Sequence, residues 1–267
     1  MCGIAGYSLG PSSSVERTLA AQALLAGIAE RGADAVGYAH RRPGGAIAIT
    51  KLRGGASALL DELDVPADAD QALLHVRDYT KGHPDLAANN HPIRHGSVVG
   101  VHNGVVVNDD ELLARYGLER HEPEMSVDSE AIFALAERRP DDPRALAELR
   151  GTMAAAWLDE REPEALYLAR GLARPLWIGR GGGDLFFAST RRALRIVEAV
   201  LRRPLELTAL REGRWLRVVA GEAVRERRFR VDRSYREPEL LPPVRTPHEG
   251  LTCLARVAAL SSASPSA

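Results

Sequence analysis

A cysteine stands directly after the first residue of the chain, in the run Met1-Cys2-Gly3. An initiator methionine is removed when a small residue follows it, and Cys2 would then carry a free α-amino group. Because that amine has a pKa of about 7.7–8.0 and a cysteine thiol one of about 8.5, the amine can serve as general base for its own thiol. The pattern predicts an N-terminal nucleophile; the alternative is a cysteine buried in a strand without a chemical role.

An arginine ends an apolar run in the sequence His75-Val76-Arg77. The planar guanidinium of Arg77 matches the two oxygens of a carboxylate, such as the α-carboxylate of an amino acid. This residue is therefore a candidate for substrate binding. The alternative is an exposed arginine in a surface salt bridge.

The pair Asn103-Gly104 follows a second apolar run, residues 98–102. After a strand, Asn-Gly is the usual signal for a two-residue hairpin turn. The same pair can instead form an oxyanion hole, in which the donors are the Asn103 side-chain amide and the Gly104 backbone N–H. Glycine also allows a substrate to approach the backbone closely.

An aspartate, Asp128, stands just before an apolar run with helical spacing. Its simplest interpretation is a helix N-cap, in which the carboxylate accepts a backbone N–H. A carboxylate in that place can also accept the ammonium group of an amino-acid substrate. Both interpretations are open from the sequence.

Apolar patterns predict the elements that must position these residues. Strand-like runs occur at residues 2–8, 36–40, 46–52, 72–76, 98–102, 153–158, 165–169, 175–178, 185–188, 205–207, 215–219 and 223–229. Helices are predicted at 15–30, 111–116 (opened by Asp109), from 127 or 128 to 137, and 190–201, with a turn or two at 144–150. Many strands with few helices favour two packed antiparallel sheets with helical outer layers.

The composition limits the classes of partner that this protein can have. A formal net charge of -1 argues against nucleic acid or an anionic membrane as the main partner. The N-terminus lacks the basic and apolar regions of a secretory signal, and no apolar stretch approaches the roughly 18 residues of a membrane helix. Two cysteines, Cys2 and Cys253, are too few for a disulfide framework. We expect a cytoplasmic protein in a reducing compartment.

Taken together, the ordered motifs resemble the class II glutamine amidotransferases, and most of all the glutaminase half of glutamine–fructose-6-phosphate aminotransferase. The likeness covers roughly residues 2–230. The motifs that carry it are Cys2-Gly3-Ile4-x-Gly6, Arg31-Gly32-x-Asp34-x-x-Gly37, His75-x-Arg77-x-x-Thr80-x-Gly82, Asn89-x-His91-Pro92, His102-Asn103-Gly104-x-x-x-Asn108 and Asp128-Ser129-Glu130.

The resemblance implies an α+β fold, the four-layer αββα sandwich of the N-terminal-nucleophile hydrolases, with the processed N-terminal residue at the centre of one sheet. It also implies roles for single residues. Cys2 would be nucleophile and base, Asn103 and Gly104 the oxyanion hole, Arg77 the site of the glutamine α-carboxylate and Asp128 that of the α-ammonium. Thr80 would line the substrate pocket.

The remaining residues of the motifs receive supporting roles. Arg31 and Asp34 would organise the loop beside the nucleophile, and His91 and His102 would be structural, because the mechanism needs no imidazole base. It needs no metal or cofactor either.

Two of the departures from the family's common run, His-Thr-Arg-Trp-Ala-Thr-His-Gly, matter for the site. Asp78 stands in place of its tryptophan and Lys81 in place of its second histidine. Lys81 offers a point charge to a carboxylate, whereas Asp78 changes the local packing and charge. Specificity for glutamine is therefore less firmly predicted than hydrolase chemistry.

The sequence favours one hypothesis over two others. We predict a glutaminase domain at residues 2–236 that releases ammonia from glutamine for a separate synthase partner, followed by a Pro/Ser-rich tail at 237–267, of which 261–267 are expected to be disordered. The first alternative is a hydrolase of other γ-glutamyl amides or peptides. The second is a non-catalytic binding module, against which the intact set of motif residues argues.

Overall fold

The computed structural model describes residues 1–238 and 242–263 and contains two antiparallel sheets. The seven-stranded sheet has the order β11-β9-β10-β1-β4-β2-β3, and the six-stranded sheet the order β13-β12-β8-β7-β6-β5. The strands are β1 (Gly3–Ser8), β2 (Ala35–Arg41), β3 (Ile47–Arg53), β4 (Gln71–Arg77), β5 (Ile93–His95), β6 (Val98–Val106), β7 (Gly151–Asp159), β8 (Ala165–Arg170), β9 (Trp177–Gly181), β10 (Asp184–Ala188), β11 (Glu206–Ala209), β12 (Arg214–Val219) and β13 (Glu222–Arg228).

Helices cover the outer face of each sheet. They are α1 (Arg17–Ile28), α2 (Asp109–Tyr116), α3 (Glu130–Arg138), α4 (Arg191–Leu201) and α5 (Pro247–Ala263). One apolar core joins α1, α4 and α5 to the seven-stranded sheet, and a second joins α2 and α3 to the six-stranded sheet. A third core lies between the two sheets. The predicted four-layer αββα sandwich is confirmed.

The alternation of side chains places three site positions in the space between the sheets. On β1, Ile4 belongs to the inter-sheet core while Ala5 belongs to the core under α1, so Cys2, two residues before Ile4, has the inner position. On β6, Val101 is in the inter-sheet core, which gives Asn103 the same orientation. On β4, Leu73 is in the inter-sheet core, so Arg77, four residues later on the same strand, also faces inward.

The strands and helices predicted from periodicity are present, with ends that differ by a few residues. Among these ends the largest difference is that of β6, which is predicted to end at residue 102 and continues to Val106. The short strand β5 was not predicted.

The C-terminal residues differ most from expectation. Helix α5 packs on α1, and its Cys253 and Val257 are fully buried in the core of that layer. Residues 261–263, expected to be disordered, complete this helix, and 264–267 lie outside the described residues. The division of the chain at residue 236 stays a prediction.

Candidate functional site

Cys2 lies at the start of the central strand of the seven-stranded sheet. It is half-buried, its thiol donates to the Asp78 carbonyl at 3.4 Å, and its own carbonyl accepts from Arg31 Nε at 2.8 Å. Burial raises the pKa of the Cys2 thiol, although the hydrogen bond to Asp78 lowers it. A thiol in this environment needs a base to form its thiolate.

The first residue of the chain is held in place beside that thiol. The Met1 ammonium forms a salt bridge with the Asp78 carboxylate. With Met1 attached, the nitrogen of Cys2 is an amide and has no basic lone pair. The N-terminal base predicted from the sequence is therefore absent from this form of the chain.

The segment that carries Arg31 and Asp34 contacts the backbone on both sides of the nucleophile. The Asp34 carboxylate accepts from the Tyr79 N–H at 2.9 Å, and the Asp34 N–H donates to the Arg77 carbonyl at 3.0 Å. Gly32 lies close to the end of β4, and a Cβ on Gly32 would be only 2.4 Å from the Arg77 carbonyl oxygen. A larger residue would push the two segments apart.

Arg77 is buried, and its guanidinium is bound largely by the protein itself. Nη1 donates to Asn90 Oδ1 at 2.5 Å, and Nη2 donates to the carbonyls of Lys81, at 2.8 Å, and Gly82. The surface salt bridge offered as the alternative from the sequence is not what the structure has. Arg77 holds the loop of residues 78–90 in shape, whatever else it binds.

A histidine joins the two sheets next to the predicted oxyanion hole. His75 Nε2 lies 3.0 Å from the His102 carbonyl, and because a carbonyl only accepts, His75 is the donor. His102 Nε2 lies 3.3 Å from the Thr152 carbonyl, and its Nδ1 lies 2.8 Å from Ser129 Oγ. Burial lowers the pKa of both histidines to about 3, so both are neutral near pH 7. This arrangement fits the structural role expected for His102.

Asn103 and Gly104 lie inside β6, so they are not the hairpin turn that was the alternative from the sequence. Gly104 has φ +148°, and a Cβ there would be 2.0 Å from the Thr152 carbonyl oxygen, so this position requires glycine. Asn103 is fully buried, yet neither its Nδ2 nor its Oδ1 has a hydrogen-bond partner among the residues that the structure describes. An unpaired buried amide is unfavourable unless something else satisfies it.

Asp128 is buried and does not cap helix α3. Its Oδ2 accepts from the Val106 N–H at 2.6 Å, which ties the residue to the end of the strand that carries Asn103. The residue at the cap position is Ser129, which makes no side-chain capping bond. Burial raises the pKa of the Asp128 carboxyl to about 6. A nearby cation would favour its charged form.

The two remaining residues of the predicted binding loop differ in environment. Thr80 is exposed. Lys81 Nζ lies 2.6 Å from Asp109 Oδ2 and 2.9 Å from Asp110 Oδ2 at the start of α2. Lys81 is thus paired with two carboxylates, and the point charge expected to help a substrate carboxylate is largely neutralised.

Sequence reasoning missed several residues that hold the site together. Asn89 Oδ1 accepts from the N–H groups of Ser126, at 2.8 Å, and Val127, at 3.1 Å, and so connects the loop after Arg77 to the segment of Asp128. Asn89 belongs to one of the family motifs, but nothing local in the sequence reveals this long-range contact. Arg245, from the C-terminal segment, reaches Asp78 and gave no sequence signal at all.

The described part of the chain contains no group of three or more His, Cys, Asp or Glu side chains that could hold a metal ion. It also contains no helix long and apolar enough to cross a membrane.

Comparisons with known proteins concern the family of the chain. A family model described as "Glutamine amidotransferase domain" matches residues 75–196. Glutamine–fructose-6-phosphate aminotransferase from Symbiobacterium thermophilum is 33% identical over 251 residues, which cover 87% of this chain and 39% of that protein. The enzyme of the same name from Methanothermobacter thermautotrophicus is 34% identical over 202 residues, 71% of this chain and 33% of that protein.

This chain carries a class II glutamine amidotransferase domain. The solved structures agree on the fold of the amidotransferase domain. The glutamine phosphoribosylpyrophosphate amidotransferase from B. subtilis superposes with a TM-score of 0.64 at 20% identity, covering 85% of this chain and 49% of that chain. A glutamine aminotransferase class-II domain protein from Silicibacter pomeroyi gives a TM-score of 0.54 at 20% identity, covering 85% of this chain and 99% of that chain.

The chain spans only part of the length of the curated aminotransferases that it matches, 39% in the case of the first. The amidotransferase domain therefore corresponds to one portion of those proteins. The roles of Cys2, Arg77, Thr80, Asn103, Gly104 and Asp128 within the domain stay predictions.

Proposed function

We propose that this amidotransferase domain hydrolyses the side-chain amide of glutamine to glutamate and ammonia, with Cys2 of the Met-free chain as nucleophile. The observation that carries the proposal is the unpaired amide of Asn103. It is fully buried on an inner strand position, and Cys2 has an inner position on the facing sheet. A donor left without a protein partner in such a place suits a charge that develops only during a reaction.

The reaction follows from these groups in two halves. The α-amine of Cys2 takes the proton of its own thiol, and the thiolate attacks the γ-carbonyl carbon of glutamine. The resulting oxyanion accepts hydrogen bonds from Asn103 Nδ2 and the Gly104 N–H. The C–N bond breaks, ammonia leaves with the proton from the amine, and a thioester remains. Water then attacks the thioester and releases glutamate and the free thiol.

The opposite charges of Arg77 and Asp128 support an amino acid as the substrate. Glutamine carries a carboxylate and an ammonium on one carbon, which matches one guanidinium and one carboxylate. Asp128 is ionised for the most part at neutral pH, because its pKa is about 6, and a substrate ammonium would stabilise that charge further. Arg77 has three of its hydrogen bonds committed to its own loop, which leaves only part of the guanidinium for a ligand.

We also propose that the ammonia is taken up by a separate synthase partner. The curated relatives extend well beyond the region that this chain matches, so an acceptor reaction would lie outside these 267 residues. A partner of this kind should raise a low basal glutaminase rate. Hydrolysis of a γ-glutamyl peptide, in contrast, needs no partner.

The direct test is ammonia release from glutamine by purified Met-free protein, with Cys2→Ser as the matched variant. We expect glutamine to be preferred over γ-glutamyl dipeptides in kcat/KM. Cys2→Ser should lose most turnover, since a hydroxyl is much harder to deprotonate with a weak amine. Preference for the dipeptides would assign the domain to γ-glutamyl peptide hydrolysis, and full activity in Cys2→Ser would reject the nucleophile.

A further inference from the structure

A C-terminal arginine reaches the end of the sheet at which Cys2 lies. Arg245 Nε is 3.2 Å from Asp78 Oδ2. The backbone N–H groups of Arg245 and Thr246 both donate to the Glu30 carbonyl, at 2.8 and 3.0 Å. The position of Arg245 is therefore fixed by its backbone as well as by its ion pair.

Helix α5 anchors the segment that carries Arg245. Glu249 Oε2 accepts from the Ser57 N–H at 2.9 Å, and Arg256 Nη1 lies 2.9 Å from Asp61 Oδ2. Cys253 and Val257 are buried against the layer of α1. An arginine attached to a docked helix is a more defined partner than one on a free tail.

The carboxylate that Arg245 binds is adjacent to the nucleophile. The Asp78 carbonyl accepts from the Cys2 thiol at 3.4 Å, and the Asp78 carboxylate contacts the Met1 nitrogen, which is one residue from the Cys2 nitrogen. An aspartate in this place brings a negative charge to a site whose chemistry depends on an unprotonated amine and a thiolate. Arg245 offsets that charge.

Two residues in the first part of the loop after Arg77 form ion pairs. Asp78 pairs with Arg245, and Lys81 pairs with Asp109 and Asp110. These two residues replace the tryptophan and histidine of the common family run. Both departures therefore form ion pairs that tie the loop to neighbouring elements.

Resting on the proposed function, we propose that Arg245 is a positioning residue of this amidotransferase site. Through Asp78 it fixes the loop beside Cys2, and it neutralises the carboxylate that would otherwise hold the amine protonated and disfavour the thiolate. The other charges that act on this end of the site are Arg31 and Glu30 from the short 3-10 helix Ala29–Arg31, Arg77 from β4 and Arg174 from the loop before β9.

Opposite changes of charge should move the titration of Cys2 in opposite directions. Arg245→Gln leaves Asp78 unpaired, which raises the apparent pKa of the coupled amine and thiol. Asp78→Asn leaves Arg245 unpaired and lowers it. The double variant removes both charges, so its apparent pKa should return towards that of the parent.

The experiment measures the rate at which iodoacetamide alkylates Cys2 of the Met-free protein as a function of pH, with the modified residue identified by mass spectrometry. We expect a midpoint raised by about half a unit to one unit in Arg245→Gln, which corresponds to roughly 3- to 10-fold slower alkylation below the midpoint. Arg245→Lys keeps the charge and should keep the midpoint near the parent's. Arg256→Gln breaks the ion pair between α5 and Asp61 and should leave the midpoint unchanged.

The readout does not need turnover, so it is independent of the glutaminase test. Shifts of the same sign in Arg245→Gln and Asp78→Asn, or no shift in either, would overturn the proposal. If Arg245→Gln does not fold, the proposal is tested by the other two variants. The alkylation midpoint of Cys2 should then fall in Asp78→Asn and stay unchanged in Arg256→Gln, and any other result would overturn the proposal. Absence of glutaminase activity with the predicted shifts would reject the proposed function and leave the role of Arg245 beside Cys2 in place.

Discussion

Arg77 and Asn103 both have inner strand positions, one on each of the two facing sheets, and their polar groups have opposite environments. Both are buried on inner strand positions. Arg77 gives hydrogen bonds to Asn90, Lys81 and Gly82, whereas the side-chain amide of Asn103 has no partner in the described part of the chain. The guanidinium of Arg77 is satisfied largely by its own loop, and the side-chain amide of Asn103 is not satisfied by the described residues. Burial alone therefore does not show how much of a polar group is left for a ligand, but its hydrogen bonds do.

The largest effect that we expect is the loss of turnover on substitution of Asn103, the residue with the unpaired amide. Asn103→Ala removes a donor to the oxyanion and should lower kcat on the order of 100- to 1000-fold. KM should change little, and the free energy of unfolding should not fall by the amount usual for a buried hydrogen-bonding residue, because no protein hydrogen bond is lost. Steady-state kinetics and a thermal melt measure both. A steep rise of KM at unchanged kcat would make Asn103 a binding residue instead.

Arg77 should behave in the opposite way and lose stability as well as activity. Arg77→Ala leaves the Asn90 side chain and the Lys81 and Gly82 carbonyls without their donor, at a cost of about 1–3 kcal/mol for each buried group that stays unpaired. We expect a lower free energy of unfolding, measured in urea, together with weaker glutamine binding. Equal stability of Arg77→Ala and the parent would show that the loop does not depend on this residue.

Asp128 shares a feature with each of these residues. Like Arg77 it has a hydrogen bond within the protein, because one carboxylate oxygen accepts from the Val106 N–H. Like Asn103 it has a buried group that the protein does not fully satisfy, in this case a charge. Its folded pKa of about 6 lies above the ordinary value of 3.8, so the folded state retains a proton between those values and stability falls as pH rises through that window. Asp128→Asn should therefore unfold with a free energy higher by on the order of 1–3 kcal/mol near pH 8, with the gain vanishing near pH 4.

The same substitution should weaken binding. A substrate ammonium that loses its carboxylate costs roughly 2–5 kcal/mol in a desolvated site. In the parent, KM for glutamine should rise as pH falls below about 6, because Asp128 becomes protonated. An Asp128→Asn protein less stable than the parent at high pH, or a parent KM independent of pH, would contradict this account.

Thr80 should give the smallest effect. It is exposed in the loop that Arg77 supports, so Thr80→Ala should change the free energy of unfolding by less than about 0.5 kcal/mol. Any effect should fall on KM, through the substrate pocket. A large loss of stability would mean that the hydroxyl serves the loop in the same way as Arg77.

Much of the fold was predictable from the sequence because the patterns are local. Short apolar runs such as residues 98–102 and 153–158 predicted the strands, and their number favoured two packed sheets. The face of each strand that lies inside, and with it the orientation of Cys2 and Asn103, is known only from the structure, because both faces of these strands are apolar. The roles of single polar residues could not be determined in this way. Asp128 has the sequence context of a helix cap, yet it bonds to Val106, and only the three-dimensional arrangement of α3 and β6 shows it.

Helix α5 was not predicted from the sequence, although its own residues contain a signal for it. The Pro-rich composition after residue 237 and the small residues at the end suggested a tail. Pro247 at the first helical position and the apolar Leu254 and Val257 were a usable signal for a helix. That this helix brings Arg245 to Asp78 depends on packing between segments more than 160 residues apart in the chain, and no local pattern records it.

The central claim is that Cys2 acts as a nucleophile once Met1 has been removed. The most direct measurement is labelling by a glutamine analogue that has an electrophilic diazo ketone in place of the side-chain amide, such as diazo-oxo-norleucine. Intact-mass and peptide analysis then compares Met-free protein with protein that retains Met1. The account predicts one label on Cys2 in the Met-free protein, none on the buried Cys253, and little or no labelling where Met1 is attached. Labelling confined to Cys253, or full activity in protein that keeps Met1, would contradict it.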